Sequence, residues 1–131
     1  MLGLDTNILV RYVVRDSVAE SDKVDRLFRR ELESGSKGFI NILVLVELAW
    51  VLARTYRYSR SDILSVVTSL LDSEWLVFEN ENLVQEAVNI FRSTPVELAD
   101  ILINLLNREH GCRTTATFDR QQKLLPTATV L

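Results

Sequence analysis

The sequence predicts an α/β fold built on a mostly parallel sheet of about five strands. Three observations predict it. Short β-like apolar runs alternate with longer helix-periodic segments along the whole chain. Glycine and proline are scarce, four and two in 131 residues, and most fall where a turn is expected. Apolar residues make up 47% of the chain, enough for a real core. At this length, with no repeat, linker or low-complexity tract, residues 1–131 read as a single domain.

Taken in order, Leu2-Gly3-Leu4-Asp5 reads as the first strand, and a short helix follows from about Asn7 to Val13. Asp16 to Glu33 has helical periodicity, with Val24, Leu27, Phe28 and Leu32 on its inner face. Gly35 and Gly38 bracket a turn into a second strand, Phe39 to Ile42. Val44 to Tyr56 carries few helix breakers. Ser59-Arg60-Ser61-Asp62 has the spacing of a capping motif for the next helix, which runs to about Ser73. These two helices should form a hairpin, with Ile63, Val66, Val67, Leu70 and Leu71 as the second helix's apolar face. Trp75 to Phe78 is a third strand, Asn82 to Arg92 a helix, and Pro95 marks a loop. Glu97 to His110 is the last long helix, with Gly111 placed as its C-cap. Arg113 to Phe118 and Ala128 to Leu131 complete the strands, with one or two helical turns between Asp119 and Leu124.

Composition narrows the function. The one cysteine, Cys112, excludes an internal disulfide and argues against a four-ligand zinc site. No secretory leader is recognisable, and the longest apolar run, Ile42 to Ala53, is too short to span a bilayer and is interrupted by Glu47. The expectation is a cytoplasmic protein with no membrane association. The charge is mildly acidic, 15 basic against 18 acidic residues. It is uneven, with ten basic against eight acidic up to Arg60 and five against ten after it. With one histidine, His110, near a helix end and no Gly-rich phosphate loop, serine-hydrolase and P-loop chemistries are disfavoured.

Four acids stand out. Asp5 and Asp119 each follow a strand, where ligands of open parallel sheets bind. Either could equally cap the helical turn behind it. Glu47 is the only charged residue between Lys37 and Arg54. A helix would place it beside Val44 and Val51, where a carboxylate is costly unless paired or metal-bound; the alternatives are a salt bridge to a nearby arginine or a solvent-facing stripe. Asp100 lies in the first turns of its helix, where the dipole favours an anion. Glu97, Asp100, Asn104 and Asn107 form one polar stripe opposite Leu98, Ile101, Leu102 and Leu105. If the strands are parallel, all four acids can converge. Mutual repulsion would then demand a cation, and hard oxygen ligands select Mg²⁺ or Mn²⁺. Phosphoryl-transfer chemistry with a metal-activated water is the natural task of such a centre.

Leu2-Gly3-Leu4-Asp5-Thr6-Asn7 resembles the opening of PIN-domain proteins. Val46-Glu47-Leu48-Ala49-Trp50-Val51-Leu52, Ala99-Asp100-Ile101-Leu102-Ile103 and Thr117-Phe118-Asp119 follow in family order over essentially the whole chain. The length also suits the VapC-like toxins of toxin–antitoxin pairs. The resemblance implies a three-layer α/β/α sandwich and an Mg²⁺- or Mn²⁺-dependent endoribonuclease. It implies that Asp5, Glu47, Asp100 and Asp119 form the catalytic, metal-holding set. Thr6, Asn7, Glu97, Asn104 and Thr117 would support them. It further implies a homodimer and a cognate VapB-like antitoxin that inserts a segment into the active-site groove. Two positions depart from the family pattern. Glu97 stands where Asp is frequent, and Asn41 where Ser or Thr is common.

RNA would need cationic contacts around this acidic pocket, and Arg11, Arg15, Arg54, Arg57 and Arg60 are the candidates. Each could equally be a solvated surface residue. Trp50 and Tyr56 could stack on bases, or fill the hairpin core or a dimer interface. The alternatives are a nuclease acting on DNA or structured nucleic acid, and a catalytically inert PIN-like binding module. A phosphate-accepting receiver domain would need an early acid pair that Asp5 lacks.

Overall fold

A computed structural model describes residues 1–131. The chain divides into two compact units, Met1–Glu79 and Asn80–Leu131. In the first, β1 (Leu2–Gly3), β2 (Gly38–Ile40) and β3 (Leu76–Phe78) form a parallel sheet in the order β1-β2-β3, with Leu2 opposite Gly38 and Gly38 opposite Leu76. Parallel strands need crossovers, and each crossover here is a helix pair. α1 (Thr6–Val14) and α2 (Val18–Glu33) join β1 to β2, and α3 (Ile42–Arg54) and α4 (Arg60–Leu71) join β2 to β3. The expected α/β pattern with parallel pairing is therefore present. The strands differ from the expected single sheet: β4 (Thr115–Thr117) and β5 (Ala128–Val130) of the second unit form their own two-stranded parallel sheet. Strands of two or three residues supply few ladder bonds, and helix caps cut them short. Asp5 turns the chain into α1 directly after Leu4, so β1 ends at Gly3.

The same capping logic moves other boundaries. Asn41 accepts from the Val44 amide at 2.8 Å, and Glu79 at the end of β3 accepts from the Ile42 amide at 2.9 Å. Both orphan donors are satisfied at the start of α3, so Ile42 joins the helix rather than extending the strand. α2 starts at Val18 behind the Ser17 cap, because Asp16 is held sideways by Arg11. Ser59 and Asp62 close the expected capping box of α4.

Packing follows the apolar spacing with one exception in α2. Val24 and Phe28 are buried, and Leu27 is half-buried, but Leu32 is 58% exposed. Only Glu33 of the helix follows it, and this end runs past the core. Phe28 is sandwiched between Tyr12 of α1 and Trp75 before β3, with ring centroids 5.0 and 4.5 Å away. Gly38 permits that closeness, since a Cβ there would lie 2.7 Å from the Trp75 ring. On α4, Ile63, Val67 and Leu70 are buried, whereas Val66 and Leu71 are half-buried.

In the second unit, α5 (Glu81–Ser93) packs through Leu83, Val84, Ala87, Val88 and Phe91 onto α6 (Leu98–Glu109), which presents Leu98, Ile101, Leu102 and Leu105. A short 3-10 helix, Arg120–Leu124, links β4 to β5. His110 caps α6 with its Nδ1 3.0 Å from the Leu106 carbonyl oxygen, and Gly111 follows at φ +88, the left-handed turn that ends a helix. No helix is long and apolar enough to cross a membrane.

Candidate active site

Two acidic groups form, one in each unit. In the first, Asp5 ends the β1 segment and caps α1, accepting from the Thr6 amide at 2.7 Å. The capping role read from the sequence is thus real, yet it does not remove Asp5 from the pocket. A cavity of about 300 Å³ is lined by Asp5, Thr6, Asn7, Arg11, Glu47 and Tyr56, with Val10, Val51 and Thr55 completing its walls. Glu47 faces it from α3, one turn before Val51.

Glu47 lies on the solvent-facing stripe of α3 rather than in a buried position. It is exposed, so the cost of burying a carboxylate does not apply. Neither a hydrogen bond nor an ion pair engages it, so the alternative of a salt bridge to a nearby arginine is not realised. It stands on the water-facing side of α3 with Leu43, Trp50 and Arg54, four exposed positions at helical spacing. Trp50 is 59% exposed and does not fill the hairpin core. Thr6 adds a further feature: its Oγ1 is buried in the pocket wall without a hydrogen-bond partner. A buried hydroxyl left unpaired costs about 1–3 kcal/mol, which a ligand or water in the cavity would relieve.

In the second unit, Asp100 sits half-buried in the first turn of α6. Its carboxyl holds its proton more tightly than usual. Partial burial is the larger cause, followed by the like charges of Asp119 and Glu97. No cation is among those causes. Asp119 follows β4 and caps the 3-10 helix, accepting from the Gln121 amide at 2.9 Å. Thr117 orients it from behind, its Oγ1 accepting from the Asp119 amide at 3.0 Å. Glu97 occupies the N-cap position of α6 but makes no cap hydrogen bond, so its carboxylate stays available.

The rest of the predicted polar stripe does something else. Asn104 is fully buried and donates through Nδ2 to the Thr127 carbonyl oxygen, and Asn107 donates to Thr115 Oγ1 at 3.0 Å. These two amides pin α6 to β4 and to the residue before β5. Asn104 Oδ1 and Thr127 Oγ1 are left unpartnered there.

Among the arginines, Arg11 is committed to Asp16 and Glu20, and Arg15 to Asp25. Tyr56 OH joins this network, donating to Asp16 Oδ2 at 3.2 Å. The Asp16 carboxyl is held below its ordinary proton affinity chiefly by its hydrogen bond to Arg11. Arg54 and Arg57 are exposed, and Arg57 adopts a left-handed φ of 57. Sequence reading missed the Arg11–Asp16–Tyr56 link, because Asp16 looked like a helix start and Tyr56 lies 40 residues away. It also missed the Glu79 cap on α3, a contact over 37 residues that no local spacing signals.

The donors are oxygen throughout; Asp5 and Asp119 follow strands, Asp100 lies in the first turn of α6 and Glu47 in the second turn of α3. No three His, Cys, Asp or Glu side chains are grouped as a ready-made metal cage. Mg²⁺ rarely asks for one: it keeps several waters and is held by one or two carboxylates with substrate phosphates.

The PIN domain family model matches residues 3–127. A VapC ribonuclease from Aquifex aeolicus (strain VF5) is 25% identical over 127 residues, 97% of this chain and 93% of that protein. No solved structure gives a significant match. The α/β fold with parallel pairing agrees with a family match over almost the full length, and the chain belongs to the PIN-domain family.

Proposed function

We propose that this chain is an endoribonuclease that hydrolyses RNA phosphodiester bonds with the help of Mg²⁺ or Mn²⁺, and that it is the toxin of a VapBC-type pair. The observation that supports it most is the state of Asp100: a half-buried carboxylate facing Asp119 and Glu97 with no basic partner, a repulsion that a cation would relieve. The family match and the VapC ribonuclease relative point the same way.

In this reading residues 1–131 act as one nuclease domain, and Asp5, Glu47, Asp100 and Asp119 hold the cation together. When bound, the cation neutralises phosphate charge and makes a water more acidic. The chain's own residues do the rest. Asp5 and Asp119 are fixed by their helix caps, so their free oxygens have a set direction. Thr117 fixes the backbone under Asp119. Thr6, with its unpartnered hydroxyl, and Asn7 line the pocket beside Asp5, where they can hold water or a phosphate oxygen. Glu97 adds charge near Asp100, and Asn104 keeps α6 in place. Arg54, Arg57 and Arg60 are the RNA-facing cations, whereas Arg11, on the pocket wall, and Arg15 would have to release their carboxylate partners to join them. The assembly is a cytoplasmic homodimer inhibited by a VapB-like antitoxin.

The test is cleavage of single-stranded RNA, tRNA and DNA with Mg²⁺ or Mn²⁺, comparing the wild type with Asp5→Asn and Asp100→Asn. RNA cleavage lost in both variants is expected. Equal activity in all three proteins overturns the assignment, and a preference for DNA replaces the substrate.

A further inference from the structure

A second cavity, about 220 Å³, opens between α1 and α2 and is lined by Asn7, Ile8, Arg11, Glu20, Lys23 and Val24. It shares Asn7 and Arg11 with the Asp5–Glu47 pocket, so the two hollows meet at one wall. Its charges are unequal in availability. Glu20 is spent on Arg11. Lys23 has no ion-pair partner and is exposed at the rim.

Lys23 also begins a row. Arg26 and Arg30 follow it at three and seven residues along α2, on the face opposite buried Ser21, Val24 and Phe28. Both are exposed, and no ion pair engages either. The row rises about 10 Å along the helix. Asp22 and Glu33 flank it and Arg29 lies beside it, so the face keeps a positive excess in a chain whose total is −3.

We propose that the α1–α2 cleft and the row Lys23, Arg26, Arg30 form the track for the phosphodiester backbone of single-stranded RNA leading away from the Asp5–Glu47 pocket. The inference rests on the ribonuclease reading above and adds the direction in which substrate lies. A polyanion gains from exposed cations that no ion pair holds, because each one that neutralises a phosphate releases condensed counterions. Arg11 cannot serve in that way alone, since two carboxylates already hold it.

The experiment is fluorescence anisotropy of a labelled 12-nucleotide RNA at several salt concentrations without divalent metal. It compares the wild type, a triple K23A/R26A/R30A variant and a charge-keeping K23R/R26K/R30K variant, with circular dichroism confirming that each is folded. The track predicts at least tenfold weaker binding for the alanine triple, and a log–log salt slope shallower by about 2, as three lost single-strand contacts require. The charge-keeping triple should bind like the wild type. An alanine triple with wild-type affinity and slope overturns the track. If Asp5→Asn still abolishes cleavage, the ribonuclease reading survives that result. A wild type that neither binds nor cleaves RNA removes both.

Discussion

The two acidic groups share a design and differ in how their charge is managed. Asp5 and Asp119 both follow a strand, and both cap the turn behind them. In the first unit, the other acid, Glu47, stands in water, and an arginine shares the cavity. In the second unit Asp100 is half-buried, its charged neighbours are Asp119 and Glu97, and its proton affinity rises accordingly. Exposure lets water screen a lone carboxylate, whereas partial burial makes like charges expensive. The second group is thus the one whose electrostatic state a bound cation would change most.

The largest expected effect tests whether both groups serve one reaction. Asp5→Asn and Asp100→Asn should each lower RNA cleavage by about 100-fold or more, beyond the loss typical of residues that merely support metal ligands. A large loss in one variant alone would break the pairing of the two groups. Next come the supports. Asn104→Ala leaves the Thr127 carbonyl with the Thr115 amide as its remaining donor and empties a fully buried polar site, and should cost about 1–3 kcal/mol in thermal unfolding. Tyr56→Phe removes only an exposed bond to Asp16 and should cost under about 1 kcal/mol. Equal losses would mean that the second unit is not the more tightly pinned of the two. The smallest effect is the sharpest. Without divalent ions, Asp100→Asn should stabilise the fold by no more than about 1 kcal/mol of relieved repulsion, read as a slight rise in melting temperature. Glu47→Gln should leave it unchanged. Adding Mg²⁺ should then stabilise the wild type more than Asp100→Asn, measured by the shift in melting temperature with metal concentration.

Much of this was legible in the residues because local rules governed it. Helix periodicity located α2 to α6, the Ser59–Asp62 box marked the start of α4, and Gly111 marked the end of α6. The parallel pairing followed from helical crossovers between strands. The extent of the strands did not, since the caps at Asp5 and Asn41 compete with the ladder for the same few residues. In the acidic groups, the residue types and their placement at strand ends were readable. Glu47's exposure was not, because an apolar run around a carboxylate looks the same whether the helix turns that one position inward or outward. The polar stripe of α6 misled in part. Glu97 and Asp100 belong to the acidic group, but Asn104 and Asn107 spend their amides on Thr127 and Thr115, contacts set by a strand that returns later in the chain.

The cap that Asp5 provides to α1 has a genetic corollary. Asparagine caps a helix as well as aspartate does, and the two codons differ by one base. A single transition at this position would therefore remove the charge while sparing the turn. If the proposed function holds, the product would be a folded copy without activity. The same holds at Asp119, whose side chain holds the Gln121 amide by the same kind of bond, so this fold offers two one-step routes to a chain that keeps its turns and loses one of these charges.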